Sequence, residues 1–207
     1  MNFQEFLQHS KLDSKDYQRE GVEWCIEREQ EQSVLEQEQE QDREQSLEGS
    51  SQHYCAGGIV ADEMGLGKTI MMIATIVCNF KMPTLIVLPN VLLEQWKEQI
   101  YKTTGHKAIV YHGQVKKILT AKQLQHMPII LTTYGTVLAD ARKDKKFQQV
   151  KWGRIICDEA HHLRNRRTKV TKVVGSLQTK IMWLITGTPI QNHINDLFSL
   201  FDILKIS

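Results

Sequence analysis

Short apolar runs alternate with helix-like patterns along most of this chain. The runs are Gly58 to Ala61, Thr84 to Leu88, Ala108 to Tyr111, Ile129 to Thr132, Arg154 to Cys157 and Ile181 to Ile185. Each is four to six residues long and apolar at successive positions, the pattern of a strand buried on both faces. Between them, Ile70, Ile73, Ala74 and Val77 fall at i, i+3, i+4, i+7, as do Leu197, Leu200, Phe201 and Leu204, so each set predicts a helix with one apolar face. Asn90, after Pro89 and before Val91, Leu92, Leu93 and Trp96, is placed to cap a further helix. Strand, turn and helix in repetition predict right-handed βαβ units, hence an α/β fold with a mostly parallel central sheet. Ligands of such sheets bind beyond the carboxyl ends of the strands, so the chemistry is expected in the loops that follow these runs.

One stretch breaks the pattern. From Glu27 to Glu48 the chain is mostly Glu and Gln, with Val34, Leu35 and Leu47 its only aliphatic residues. It lacks the side chains to build a core and has no a/d repeat for a coiled coil. It reads as an acidic, mobile insertion over 27–52 in a surface loop, with some helix by propensity, and Gly49, Ser50 and Ser51 mark its return. The rest, within 207 residues of 41% hydrophobic content, is expected to form one large domain. Met1 to Ser10 offers no apolar core and no run reaches the roughly 18 apolar residues of a membrane span. The expectation is therefore an intracellular protein, nuclear in a eukaryote, neither secreted nor membrane-bound.

Charge is unevenly distributed. Residues 27–48 hold nine acids against Arg28 and Arg43, so the net +2 of the whole conceals a basic remainder. Between Arg142 and Lys180 twelve Lys or Arg face three acids, which is where a polyanion is best met. Cys25, Cys55, Cys78 and Cys157 are scattered and form no C-x-x-C pair, as expected of thiols in a reducing compartment. His161 and His162 adjoin Asp158 and Glu159, yet neighbouring histidines point apart and no further Cys or His is suitably spaced, which argues against a protein-ligated zinc.

Two motifs carry the chemistry. Asp62-Glu63-Met64-Gly65-Leu66-Gly67-Lys68-Thr69 lies between the first run and the first helix. Its glycines let main-chain N–H groups approach phosphate oxygens, the helix N-terminus adds a positive dipole, Lys68 brings a mobile cation, and the Thr69 hydroxyl suits Mg²⁺. The common P-loop spacing asks for glycine at position 62, where this chain has Asp62. Asp158-Glu159-Ala160-His161 follows the run Arg154 to Cys157. There Asp158 suits Mg²⁺ and Glu159 suits orienting or deprotonating a water.

With these residues the chain resembles the superfamily 2 helicase-like ATPases and, within them, the Swi/Snf family of chromatin-remodelling and DNA-repair motors. Asp62 to Thr69 is similar to that family's motif I, in which Asp at the first position is normal. Tyr17-Gln18-Arg19-Glu20-Gly21-Val22-Glu23-Trp24 resembles its adenine-reading Q motif. Leu85 to Pro89 with Gln95-Trp96 resembles motif Ia, and Leu131-Thr132-Thr133-Tyr134 a second nucleic-acid-contact motif. Asp158 to His161 resembles motif II, the DEAH box, and Thr186-Gly187-Thr188-Pro189-Ile190-Gln191-Asn192 motif III. The Thr-Gly-Thr-Pro form separates this family from strand-separating helicases, which more often carry Ser-Ala-Thr. Trp152-Gly153-Arg154, Leu163-Arg164-Asn165 and Thr168-Lys169 resemble the repair and transcription-termination branch.

The resemblance implies a RecA-like, three-layer α/β/α lobe that binds Mg·ATP while double-stranded DNA lies across it and a second RecA-like lobe. That second lobe and its arginine fingers are expected to lie outside this chain. Gln18 and Asp62 to Thr69 would bind nucleotide, with Lys68, Asp158 and Glu159 catalytic and Thr69 and Asp158 holding Mg²⁺. His161, Thr186, Thr188 and Gln191 would couple the site to motion. Pro89, Asn90, Gln95, Thr132, Thr133, Tyr134, Arg164, Arg166 and Arg167 would touch nucleic acid. Trp96 reads as core, His161 as a structural bridge from motif II to motif III, Thr132 and Thr133 equally as caps of the next helix, and the arginines equally as solvated surface. A strand-separating helicase and a non-catalytic ATP-binding scaffold remain as alternative functions, and the Glu/Gln-rich segment is a candidate surface for protein partners.

Overall fold

The computed structural model describes residues 3–10, 15–43, 55–190 and 194–205. Among them, strands β1 (Ala56–Val60), β2 (Thr84–Leu88), β3 (Ile109–Val110), β4 (Ile129–Thr133), β5 (Arg154–Cys157) and β6 (Ile181–Ile185) form one sheet in the order β1-β6-β5-β2-β4-β3. Every pairing is parallel. Each predicted run supplies a strand. The first begins two residues earlier than its apolar pattern, because Ala56 and Gly57 already pair with Ile181 and Met182. The edge run shortens to two residues.

Alternation along the strands feeds two cores. Ile86 and Leu88 face one side with Ile156 and Trp183, where α1 (Phe3–Ser10), α2 (Asp16–Arg43), α3 (Lys68–Cys78) and α4 (Leu93–Thr104) pack. Leu85 and Val87 face the other with Ile155, Cys157 and Leu184. The connection from β3 to β4 carries the short α5 (Val115–Ile118) and α6 (Ala121–Leu124). Leu124 joins the second core together with α7 (Tyr134–Arg142), α8 (Lys146–Gln149), α9 (Lys169–Gly175) and α10 (Asn195–Leu204). The result is the expected three-layer α/β/α arrangement.

Four sequence expectations need correction. Helix α3 is buried almost all round, from Met71 to Ile76, because α1, α2 and α4 enclose it where a one-faced helix was expected. The N-terminal stretch does contribute core: Phe3 and Phe6 are buried against the first sheet face. Asn90 opens a 3₁₀ turn, Asn90–Leu92, without a side-chain cap, and α4 starts only at Leu93. The Glu/Gln-rich segment does not open a loop at Glu27, since α2 continues unbroken to Arg43; the rest of the predicted insertion, 44–52, lies outside the described residues apart from this helix.

Within that segment Glu29 is buried and paired with Arg154, both side chains fully enclosed. Arg154 Nε donates to Glu29 Oε1 at 2.7 Å, and its Nη2 to Glu29 Oε2 and, at 2.6 Å, to the Asn79 carbonyl. Trp183 Nε1 donates to Glu29 Oε1 at 2.8 Å and Asn79 Nδ2 to Oε2 at 2.7 Å. The cluster ties α2 to β5, β6 and the end of α3. Arg154, counted above among the basic residues open to a polyanion, belongs instead to the interior.

Removing one member would strand a buried charge, which typically costs about 3–5 kcal/mol. Glu31, by contrast, makes an exposed pair with Arg28, worth less than about 1 kcal/mol. Glu29→Ala is therefore expected to lower the unfolding free energy by about 3–5 kcal/mol and Glu31→Ala by almost nothing, as read from urea unfolding of the two variants beside the parent.

Candidate nucleotide and metal site

The loops after β1, β6, β5 and β2 emerge side by side at the carboxyl edge of the sheet. After β1 the chain turns through Gly65 and Gly67, both at positive φ, and enters α3 at Lys68. Glycine at position 67 suits the left-handed turn at φ 81, and a Cβ there would stand 2.4 Å from Gln18 Nε2, so the end of this side chain lies directly against the loop. Gln18 spans the gap: its Nε2 donates to the Leu66 carbonyl at 3.1 Å and its Oε1 accepts from the Lys15 N–H at 3.2 Å. The Lys68 ammonium donates to the Asp62 and Glu63 carbonyls at 2.6 and 2.7 Å, which keeps the cation at the mouth of its own loop. Thr69 is half-buried on the first turn of α3.

Motif III lies between motifs I and II because β6 lies between β1 and β5. The Thr186 N–H donates to the Val60 carbonyl at 3.0 Å, and Thr186 Oγ1 accepts the Thr188 N–H at 3.1 Å. A Cβ on Gly187 would meet Met64 Cγ at 2.9 Å and the Asp62 carbonyl at 3.8 Å, so this turn rests directly on the phosphate loop. Thr186 is buried and Thr188 exposed, whereas Gln191 lies outside the described residues.

Asp158 ends β5 with its N–H on the Val87 carbonyl, 2.8 Å away. Its carboxylate is largely buried. Oδ2 accepts from Trp96 Nε1 at 2.7 Å and Oδ1 from the Glu159 N–H at 2.9 Å. Burial pushes the Asp158 carboxyl above the ordinary carboxylate range; those two hydrogen bonds pull it down, the Glu159 charge raises it, and Lys68 lowers it. Glu159 sits in the left-handed region at φ 51, ψ 49, an uncommon conformation for a non-glycine residue and of the kind that clusters at functional sites. His161 Nδ1 lies 3.0 Å from Glu159 Oε2, and the His161 ring stacks on His162 at 4.6 Å. His162 is held below its usual pKa, mainly by burial and then by the His161 charge.

Mg²⁺ and a nucleotide fit these residues. Asp158 and Thr69 offer hard oxygens, the Asp158 carboxylate is largely buried, and the glycine turn leaves open space over Gly65. Among the described residues no three His, Cys, Asp or Glu converge on a point.

The structure divides the nucleic-acid candidates. Asn90 and Gln95 are exposed and Pro89 half-buried beside them; Arg166 and Arg167 are exposed and Arg164 half-buried. Arg166 lies 3.6 Å from Asp202. Thr132, Thr133 and Tyr134 are buried, and their side chains are spent inside the molecule, in line with the helix-cap reading of Thr133. Thr132 Oγ1 donates to the Tyr111 carbonyl, Thr133 caps α7 by accepting the Thr136 N–H, and Tyr134 donates its hydroxyl to the Asp158 carbonyl at 2.6 Å. These are β4 and α7 positions whose alternation turns them inward.

Sequence reasoning passed over three groups of the site. Trp96 is core, as expected, but its N–H is spent on Asp158. Tyr134 grips the same residue, and Glu29 anchors the helix that carries Gln18. A signal existed for two of them: a buried indole N–H needs an acceptor, and an arginine opening a buried strand needs a counter-charge.

The motif order and this geometry agree with known proteins. The SNF2-related domain pattern matches residues 17–207. The chain belongs to the SNF2-related domain family. It is 39% identical over 185 residues to the DNA repair protein RAD5 of Candida albicans, covering 72% of this chain and 17% of that one. It is 33% identical over 187 residues to the DNA repair protein rad8 of Schizosaccharomyces pombe, covering 75% and 16%. A solved Sulfolobus solfataricus SWI2/SNF2 ATPase core in complex with dsDNA superposes with a TM-score of 0.72 at 30% identity, over 95% of this chain and 36% of that one. The chain thus spans about one sixth of the length of these repair-protein relatives. The RecA-like fold and the Swi/Snf resemblance, with its lean toward the repair branch, stand, and helix α1 precedes the family-matched residues.

The raised Asp158 carboxyl has a defined sign. In the unfolded chain it titrates normally, so the folded state holds its proton more tightly and loses stability as pH rises from the ordinary value through the folded one. Asp158→Asn, neutral throughout, is expected to gain on the parent in thermal midpoint by more at about pH 7 than at about pH 4. An equal difference at both pH values, in paired thermal melts, would refute a desolvated charge at this position.

Proposed function

We propose that this chain is the ATP-binding lobe of a DNA-dependent ATPase that translocates on duplex DNA in repair, transcription-related or chromatin-remodelling work, completed by a second RecA-like lobe. One observation carries the reading: the glycine-turned Lys68-Thr69 loop and the buried Asp158 carboxylate sit on one sheet edge, with the motif III turn between them packed on the Asp62 to Met64 backbone. When bound, Mg·ATP supplies the γ-phosphoryl group and the divalent charge that stabilises its transfer. Lys68 would exchange its two carbonyl acceptors for phosphate oxygens, Thr69 and Asp158 would hold the metal, and Glu159 would orient the attacking water and take its proton. Gln18 stands at the phosphate loop from the adenine side, and Thr186, Thr188, Gln191 and His161 would couple hydrolysis to motion.

Ile190, Ile194 and Phe198 are exposed beside the motif III turn, an apolar surface suited to cover by a second lobe. Duplex DNA would run past Pro89, Asn90 and Gln95 and past the basic Arg164 to Arg167 turn. The Glu/Gln-rich segment would meet protein partners, and the eukaryotic repair relatives favour a nuclear setting. Among the described residues no helix is long and apolar enough to cross a membrane.

The test is phosphate release. An arginine finger in related sites contributes about 10³ to 10⁵ in rate, so the 207-residue chain is expected to bind Mg·ATP weakly and to turn over near background with or without DNA. Joined to its second lobe it should hydrolyse ATP when duplex is added. There Lys68→Ala should abolish activity chiefly through nucleotide binding, and Glu159→Gln should abolish turnover while sparing binding. Robust DNA-stimulated turnover by this lobe alone would overturn the need for a second lobe.

A second expectation concerns the basic turn. Changing Arg166 and Arg167 together to Ala should weaken duplex binding equally across sequences and reduce the salt slope by roughly one unit per lost phosphate contact. An unchanged slope in binding titrations over a salt series would return both arginines to the solvated surface.

A further inference from the structure

Asp158 is gripped from the inside of the molecule by two aromatic residues on two different helices. Trp96 of α4, only 1% exposed, donates its indole N–H to the carboxylate Oδ2 at 2.7 Å. Tyr134, the first residue of α7, donates its hydroxyl to the Asp158 carbonyl at 2.6 Å. A buried indole or phenol must spend its proton somewhere, and a main-chain carbonyl is the ordinary acceptor. Here both are spent on one residue, at the carboxyl end of a central strand. Oδ1 is braced separately by the Glu159 N–H, so the carboxyl plane is defined from two sides.

The placement of the donors is informative. Gln95 and Trp96 are consecutive on α4 and project about 100° apart, the first exposed and the second buried on Asp158. Helix α7 begins in the same way: Tyr134 is buried on Asp158 while Gly135 opens to solvent.

We infer that Trp96 and Tyr134 are positioning residues for the metal: from the interior of the molecule they hold the Asp158 carboxylate and its main chain in the orientation that receives Mg²⁺. This rests on the reading of Asp158 as the Mg²⁺ ligand. Outer partners of metal ligands act by fixing orientation, and their loss typically costs about 10- to 100-fold in metal affinity or activity. Trp96→Phe keeps an aromatic ring in the core but leaves Oδ2 without its donor and the carboxylate free to rotate.

Trp183 provides a matched control. It is fully buried and its indole N–H is also spent on a carboxylate, Glu29 Oε1 at 2.8 Å in the network of Arg154, and not on Asp158. Trp183→Phe thus deletes an equivalent buried hydrogen bond and a similar volume.

The experiment uses the 207-residue chain and fluorescent N-methylanthraniloyl-ADP as probe, titrated with and without Mg²⁺. Trp96→Phe is expected to raise the Mg²⁺ concentration for half-maximal nucleotide binding by roughly tenfold or more and to leave Mg²⁺-free affinity as in the parent. Tyr134→Phe should shift it in the same direction, and Trp183→Phe should not shift it at all. A Trp96→Phe response no larger than that of Trp183→Phe, or an equal fall in Mg²⁺-free and Mg²⁺-dependent affinity, overturns the inference. Should Trp96→Phe not fold, Tyr134→Phe, which removes a single oxygen, decides by the same comparison. A parent that binds the probe without any Mg²⁺ dependence, or not at all, overturns the nucleotide–metal reading itself and the inference with it.

Discussion

A parallel ladder of main-chain hydrogen bonds centred on β5 is the constraint on which the rest of this structure depends. Strands that run the same way must deliver their following loops to the same edge, and both faces of such a sheet must be covered. The apolar runs meet the second demand with alternating side chains for two cores. The first gathers five loops in a row, those after β1, β6, β5, β2 and β4, each bearing residues tied to the site. The insertion of β6 between β1 and β5 sets the motif III turn on the phosphate loop, where Gly187 touches Met64. Contact between motifs separated by more than a hundred residues thus follows from strand order.

The site is assembled against local stability. Asp158 carries a charge that burial disfavours, Glu159 occupies a left-handed backbone conformation, and Lys68 is held by carbonyls of its own loop. Surrounding structure must over-determine such features for them to persist. Here the supports are specific: an indole and a phenol on Asp158, a glutamine on the phosphate loop, and a 3₁₀ turn, Ala160–Leu163, after Glu159 whose Ala160 and Leu163 are fully buried. An aromatic donor suits the task because it fills core volume and fixes one hydrogen bond with few rotatable bonds.

The buried Glu29–Arg154 pair shows how composition can mislead. A Glu/Gln-rich segment is read as solvated because it lacks apolar side chains, yet one of its glutamates is the fully enclosed counter-charge of the sheet. Such a pair contributes modest net stability against a hydrophobic alternative, but either partner alone would be costly. Its evident consequence is register. It fixes α2 along the sheet by a bidentate contact, and Gln18, eleven residues earlier on the same helix, is thereby set against Gly67.

Periodicity and motif spacing by themselves determined the six strands, the parallel α/β class, the phosphate loop at Gly65 to Thr69 and the acid pair at Asp158 and Glu159, because these depend on local pattern: apolar runs of strand length, glycines where the turn needs them, acids at a strand end. They could not determine which buried polar atom meets which. The side chains of Thr132 and Tyr134 look like contacts available to a ligand until the pleat of β4 and the first turn of α7 direct them inward. Trp96 is legible as core, but not as the donor to a carboxylate 62 residues away. Glu29 and Arg154, 125 positions apart, become a pair only when α2 lies across the sheet. Hydrogen bonds and ion pairs between distant elements leave no periodic trace in the chain, since their partners are chosen by strand order and helix docking; those choices, and with them the orientation of the Asp158 carboxylate, were made only by the tertiary structure.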